Sequence, residues 1–175
     1  MLEDGSVYEG TARGDFKETA CEIVFNTSMT GYVEILTDPS YAGQGVVMTY
    51  PMIGNYGISR EDFESERLQP SAFIVHELSS DPSNFRCTDT IENLLKEYIP
   101  CISGVDTRAV VKKLRESGTM RGVLTSDIGD RERLMDVIKS FRQIDLVGSV
   151  TAKQTKVYGE ENTGAEIALM DFGTK

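Results

Sequence analysis

The sequence has no tryptophan, one histidine and three cysteines among its 175 residues. A single histidine excludes a histidine-rich zinc site, because such a site takes several imidazole ligands. Cys21, Cys87 and Cys101 are odd in number and show no C-x-x-C spacing. We interpret them as reduced thiols, not as a disulfide framework or a metal site. No residue is therefore predicted to bind a metal.

Long apolar runs and an excess of positive charge are also missing. No stretch has the ~20 apolar residues of a membrane-spanning helix, and Met1–Asp4 does not resemble a signal peptide, so we expect a cytoplasmic protein. The net charge of −10 argues against nucleic acid or a membrane surface as a partner, because phosphate binding requires a basic surface. The hydrophobic content of 39% is typical of a globular protein, here one domain with an appendage.

Catalytic chemistry is hard to place on the residues that are present. His76 lies in a predicted strand, where a histidine is more often a hydrogen-bonded structural residue than a catalyst, and a Cys–His pair would require a tertiary contact. Gly43-Gln44-Gly45 lacks the third glycine and the Gly-Lys-Ser/Thr of a phosphate loop. The sequence predicts no catalytic residue.

The first half of the chain is predicted to be rich in strands. Tyr32–Thr37 alternates weakly and is predicted as a strand that forms a hairpin with the strand before Asn26. Asp38-Pro39-Ser40 ends it, since proline restricts the preceding residue to extended conformations and presets a turn. The charged segment 60–70 is interpreted as a solvated loop. Branched and aromatic residues predict further strands at 7–10, 21–25, 46–50 and 71–78.

From Asp89 onward the apolar period changes to that of helices. Ile91, Leu94, Leu95 and Tyr98 form one apolar face, and Asp89 with Glu92 has the spacing of a capping box. Asp106 and Asp130 are predicted to cap two further helices, the first of which covers 107–116 and ends at Gly118. Short strands are predicted at 101–102 and 122–126. Residues 148–164 have no period and indicate a linker that extends to the next apolar run. That run, Ile167–Met170, is predicted as the first strand of a parallel sheet.

The stretches Phe25–Tyr41, Gly104–Gly118 and Asp171–Gly173 resemble the small chain of glutamine-hydrolysing carbamoyl-phosphate synthase, specifically its N-terminal domain. Without that resemblance, the first stretch would be interpreted as an ordinary hairpin. The predicted fold class is α/β, a mixed β/β/α domain at 1–147. A linker at 148–166 and the stub of a glutamine amidotransferase domain at 167–175 follow it. The family usually has a branched apolar residue where Gly45 stands, so we expect a bulge or poor pairing there.

The resemblance implies the N-terminal structural and docking domain of the small (glutaminase) subunit. In that family, a cysteine of the following domain hydrolyses glutamine, and the ammonia passes to a large chain. The large chain makes carbamoyl phosphate from bicarbonate and ATP, for arginine and/or pyrimidine synthesis. The implied partner is this large chain, with ATP and magnesium expected there and no cofactor in this chain. Because none of Cys21, Cys87 and Cys101 lies in a Gly-x-Cys-x-Gly setting, the chain alone is predicted to be inactive.

Ser40 is the residue to which the resemblance assigns a substrate. In the family, the serine of the Asp-Pro-Ser-Tyr turn contacts the glutamine that is bound in the neighbouring domain. The simpler interpretation is that Ser40 only completes its turn. Lys112, Lys113 and Arg115 likewise form either a partner patch or a solvated helix face. The alternative function is a non-catalytic interaction or scaffold module that reuses this domain without a glutaminase partner.

Overall fold

A computed structural model describes residues 1–14, 16–96, 99–142, 145–159, 164 and 167–175. In these residues a six-stranded sheet, a two-stranded sheet and five α-helices are present, which confirms the α/β fold class. The strands are β1 (Thr11–Arg13), β2 (Thr19–Asn26), β3 (Gln44–Met48), β4 (Met52–Ile53), β5 (Ala72–Ile74), β6 (Glu77–Leu78), β7 (Cys101–Ser103) and β8 (Met120–Leu124). The helices are α1 (Tyr32–Thr37), α2 (Ile91–Leu95), α3 (Thr107–Ser117), α4 (Arg131–Ser140) and α5 (Leu146–Val150), with 3-10 turns at Pro39–Tyr41 and Arg60–Asp62.

The larger sheet is mixed, with the strand order β1-β7-β5-β3-β2-β8. Its four central strands run parallel, while β1 and β8 pair antiparallel at the two edges. Parallel neighbours require crossover connections, and these place helices on the faces of a sheet. The segments with α1 and α2 supply two of these crossovers, and β4 pairs with β6 in the small second sheet.

The sheet is buried on both faces. Val46 and Val47 are adjacent in β3 and point to opposite faces, so they enter different apolar clusters. The Val46 cluster includes Leu36 of α1 and Ile91 of α2, and the Val47 cluster includes Leu114 of α3. Helix α4 packs against β8 at the end of the sheet. Within the described ranges, no helix has the length and apolar character needed to cross a membrane.

The predicted strand at Tyr32–Thr37 is wrong, because these residues form α1. Gly31 precedes the helix with a φ of 83°, and the Tyr56 hydroxyl accepts hydrogen bonds from the N–H groups of Gly31 (2.6 Å) and Tyr32 (3.1 Å). Almost every side chain of α1 is buried, so its sequence carried no clear helical stripe. The expected hairpin is therefore replaced by a β2–α1–β3 crossover between parallel strands.

Two details of the strands also differ from expectation. Residues 7–10 have no regular structure, and β1 begins at Thr11. The expected bulge at Gly45 is wrong, since Gly45 pairs in register with Ile23 on one side and Ala72 on the other. A Cβ at Gly45 would lie 2.7 Å from Cys21 Sγ and 2.8 Å from the Ile23 side chain. Those two larger side chains fill the space beside the glycine.

The helix caps follow the sequence closely. Asp106 and Asp130 accept the predicted capping hydrogen bonds from Ala109 and Arg133, each at 2.9 Å. The cap of α2 is Thr90 instead of Asp89, because the Thr90 hydroxyl accepts the N–H of Asn93. Asp89 binds the Thr90 N–H and the Asn93 amide. Tyr98, predicted on the same helix, lies outside the described residues.

The C-terminal part of the chain contains a helix where the linker was predicted to begin. Asp145 accepts the N–H of Gly148 at 2.9 Å and caps α5, which extends to Val150. Of the predicted linker, residues 160–163, 165 and 166 lie outside the described residues. Ile167–Met170 is exposed and does not form the predicted strand. A strand needs hydrogen bonds to a neighbouring strand, and these residues pair with none in the described part of the chain. The domain boundaries at 147 and 166 stay predictions.

Candidate functional site

Ser40 lies on the 3-10 turn that follows α1. Asp38 is the N-cap of this turn, and its Oδ1 accepts the Ser40 N–H at 2.8 Å. Pro39 is buried and stands at the start of the turn, where its fixed φ suits the conformation. Tyr41 N–H closes the turn on Asp38 O at 3.0 Å. The predicted turn is therefore present, and it presents Ser40 at the surface.

The end of β2 is tied to this turn by side chains. Asn26 Nδ2 donates to the Tyr41 hydroxyl at 2.9 Å, and Asn26 Oδ1 accepts the Ser28 N–H at 2.7 Å. The sequence stretch that carried the family resemblance thus forms one tertiary arrangement, in which the loop after β2 and the turn after α1 support each other.

The charged segment 60–70 exposes most of its charged side chains, as predicted, but it also makes hydrogen bonds to the end of α1. Thr37 is buried at the end of α1, where its hydroxyl accepts the Glu64 N–H at 2.9 Å and donates to Val33 O at 2.9 Å. The Ser65 hydroxyl donates to Thr37 O, and the Gln69 N–H donates to Leu36 O at 2.9 Å. These bonds fix the end of α1, from which the Ser40 turn starts.

Asp38 forms an ion pair with Lys175. Lys175 Nζ lies 2.6 Å from Asp38 Oδ2, and the Asp38 side chain is 12% exposed. Burial by itself raises the pKa of Asp38, but the hydrogen bonds from Lys175 and from Ser40 outweigh it. The pKa of Asp38 is therefore lowered, and the carboxylate is charged at neutral pH.

The last residues form a compact turn beside Ser40. Asp171 Oδ1 accepts the N–H groups of Gly173 at 2.7 Å and Thr174 at 2.8 Å, which directs the chain toward Asp38. Gly173 has a φ of 105°, and a Cβ there would lie 2.6 Å from Val150 and 3.4 Å from Pro39. The segment 171–175 thus packs between α5 and the Ser40 turn.

The other polar candidates lie apart from this arrangement. His76 Nδ1 lies 3.0 Å from Val105 O, and its own carbonyl accepts the Gly104 N–H at 2.7 Å, so it joins the ends of β5 and β7. Cys21 and Cys101 are buried, and burial raises the pKa of each thiol to about 12. The described ranges contain no group of histidine, cysteine and carboxylate side chains arranged to hold a metal ion.

The described residues form a mixed α/β domain, and the turn capped by Asp38 presents Ser40 at its surface. Residues 1–124 match the family described as "Carbamoyl-phosphate synthase small chain, CPSase domain". The chain belongs to this family, as the resemblance predicted.

Individual relatives agree with this assignment. Over 177 residues the chain is 46% identical to the "Carbamoyl phosphate synthase small chain" of Clostridium perfringens, which covers 100% of this chain and 50% of the relative. Over 180 residues it is 48% identical to the protein of the same name from Archaeoglobus fulgidus, covering 99% of this chain and 49% of the relative. The chain spans about half the length of the curated relatives it matches.

The family resemblance proposed Ser40 as a site residue, which stays a prediction, and the sequence did not indicate the residues that hold its turn. Lys175 is 137 positions from its partner Asp38, and no local pattern links them. The one available signal was that Asp38 precedes a proline, which makes its backbone predictable. Tyr56, whose hydroxyl supports the start of α1, also gave no signal beyond its place in a turn-forming segment.

Proposed function

We propose that this chain is the N-terminal structural and docking domain of a glutaminase subunit in carbamoyl-phosphate synthase. In the intact enzyme, glutamine, bicarbonate and ATP yield carbamoyl phosphate, and a large chain holds ATP and magnesium. This domain packs on the glutaminase domain and binds the large chain, in the cytoplasm. The observation that carries the proposal is the family match over residues 1–124, together with relatives that bear the small-chain name.

The direct contribution to substrate binding comes from Ser40. Its hydroxyl lies on a turn that Asp38 caps and Pro39 presets, so it needs little ordering when glutamine binds. A hydrogen bond to the charged α-amino or α-carboxylate group of glutamine is worth about 1.5–3 kcal/mol. That group is remote from the scissile amide, so the contact contributes similarly in the ground state and the transition state.

Substitution of Ser40 in the full-length subunit, joined to its large chain, tests this role. We expect Ser40→Ala to raise the KM for glutamine by about ten-fold to a hundred-fold and to leave kcat nearly unchanged. Synthesis from free ammonia should be unaffected, since ammonia bypasses the glutamine site. Ser117→Ala, at the exposed end of α3, is the matched control and should leave all three values unchanged.

The outcomes separate the interpretations of Ser40. An unchanged KM in a folded Ser40→Ala protein would contradict substrate binding and leave Ser40 as a residue that only completes its turn. A loss of ammonia-dependent synthesis would indicate damage to the contact with the large chain. The alternative of a scaffold module without a glutaminase partner is not favoured, because the relatives described above are small chains of carbamoyl phosphate synthase.

A further inference from the structure

Asp38 uses both oxygens of one carboxylate to hold two separate parts of the chain. Oδ1 accepts the Ser40 N–H at 2.8 Å, and Oδ2 lies 2.6 Å from Lys175 Nζ. Asp38 is 8% exposed, and a carboxylate at that depth requires partners for its charge. The Ser40 turn and the C-terminal segment 171–175 therefore meet at a single buried anion.

This contact differs from the ordinary surface pairs of the same region. Lys156 and Glu66 also pair across the chain, at 2.9 Å, but their side chains are 56% and 88% exposed. Exposed pairs of this kind contribute little to stability and do little to fix the position of the chain. The Lys175 side chain is also half exposed, at 51%, so the difference lies in the acid, since the Asp38 side chain is only 12% exposed. Removing Lys175 therefore leaves a largely desolvated carboxylate without its cation. Glu64 also interacts electrostatically with Lys175, but the close contact is the one with Asp38.

The backbone at Gly173 also comes close to Pro39, an approach that involves no charge. Gly173 lies against Pro39, with 3.4 Å between its virtual Cβ and Pro39 Cβ, and the turn at Asp171 sets the direction of the last residues. Because the segment already approaches Pro39, the ion pair fixes its position relative to Ser40 instead of bridging a gap.

We propose that Asp38 is a positioning residue that fixes segment 171–175 against the Ser40 turn and thereby holds the Ser40 hydroxyl in place. Its effect on glutamine rests on the proposed function of Ser40, whereas its effect on segment 171–175 does not. Asp38→Asn separates the two bonds of the carboxylate. The remaining side-chain oxygen still caps the Ser40 N–H, while the new amide group donates and cannot accept from Lys175.

The first test uses NMR spectroscopy on this chain. In the wild type, the Gly173 α-protons should give nuclear Overhauser contacts to the Pro39 ring. We expect Asp38→Asn and Lys175→Met each to weaken these contacts at least two-fold, and the control Lys112→Met, on the exposed face of α3, to leave them unchanged. Lys175→Met keeps the cap of the turn intact, so it decides this arm if Asp38→Asn fails to fold. Unchanged contacts in the folded variants would overturn the proposal.

The second test uses the full-length subunit joined to its large chain. We expect Asp38→Asn to raise the KM for glutamine at least five-fold, with kcat and ammonia-dependent synthesis unchanged. If Ser40→Ala raises the KM and Asp38→Asn does not, the positioning role is overturned while the proposed function stands. If Ser40→Ala leaves the KM unchanged, the substrate contact of Ser40 fails, and the NMR contacts alone decide whether Asp38 holds the segment.

Discussion

At the scale of single residues, the three cysteines differ in how far their thiols are exposed. Cys21 and Cys101 lie in the sheet, and their burial raises the pKa of each to about 12. Cys87 is only half-buried, in the loop before α2, where its thiol donates to Asp89 O. Since the reactive form of cysteine is the accessible thiolate, two of the three thiols are protected in the folded chain.

We therefore expect iodoacetamide to label Cys87 quickly in the folded protein and to reach Cys21 and Cys101 only after unfolding. Peptide mass spectrometry with and without denaturant measures this directly. Cys87→Ser should remove the fast reaction and leave the slow reactions in place. Rapid labelling of Cys21 or Cys101 under native conditions would contradict the burial described here.

The residues of the candidate site show what sequence can predict at this scale. The Ser40 turn was predictable because Pro39 acts on its immediate neighbours. The Lys175–Asp38 pair was not, because it depends on how a distant segment packs. The shape of the turn follows from residues next to it in sequence, whereas its contact with Lys175 depends on tertiary packing.

Among the elements, the helices whose caps are polar were predicted well. The carboxylates of Asp106 and Asp130 accept backbone N–H groups that have no partner in the first turn of a helix. The starts of α3 and α4 could therefore be predicted from the sequence. Helix α1 has no side-chain cap of its own, and the Tyr56 hydroxyl supports its first N–H groups. Because nearly all side chains of α1 are buried, its apolar residues show no helical period. With no local cap either, the sequence of α1 could not be distinguished from that of a strand.

Strand β3 leads to a prediction about packing. The virtual Cβ of Gly45 lies 2.7 Å from Cys21 Sγ, so Gly45→Ala should overpack the sheet and lower the free energy of unfolding by about 1–3 kcal/mol. Cys21→Ala removes the obstructing sulfur and should restore part of the loss in the double variant. Urea denaturation measures both effects.

The control for this prediction is Gly164→Ala, because a Cβ at Gly164 would meet nothing within 4 Å. We expect that variant to change stability by less than about 0.5 kcal/mol. If Gly45→Ala were as mild as the control, the close contact with Cys21 would not constrain the strand.

At the scale of the whole molecule, ion pairs connect parts of the chain that are distant in sequence. Glu18, just before β2, forms a two-point contact with Arg133 of α4 at 2.7 and 2.8 Å. The Arg133 hydrogen bond, with a second from Thr125, lowers the pKa of Glu18 to about 2 from an ordinary value of 4.5. The contact links α4 to the start of β2, the strand that pairs with β8.

This shift predicts how stability depends on pH. A folded-state pKa below the unfolded value stabilises the fold above pH 4.5, and this contribution is lost as the pH falls toward 2. Glu18→Gln should therefore reduce the loss of stability between pH 5 and about 2. Since both side chains are partly exposed, we expect an effect of about 0.2–1 kcal/mol. Urea denaturation at several pH values measures it, and an identical acid dependence in both proteins would contradict it.

The last prediction concerns the activity of the chain by itself. Hydrolysis of glutamine through a thioester requires an accessible thiolate, a base that activates it and donors for the oxyanion. Cys21 and Cys101 are buried with raised pKa values, and the thiol of Cys87 faces the Asp89 carbonyl, while His76 faces Val105 O. We therefore expect the purified chain to release no ammonia from glutamine in a coupled assay in which the full-length subunit, joined to its large chain, is the positive control. Ammonia release by the chain alone, abolished by Cys87→Ser, would contradict the proposal that this domain supports a catalytic centre located elsewhere.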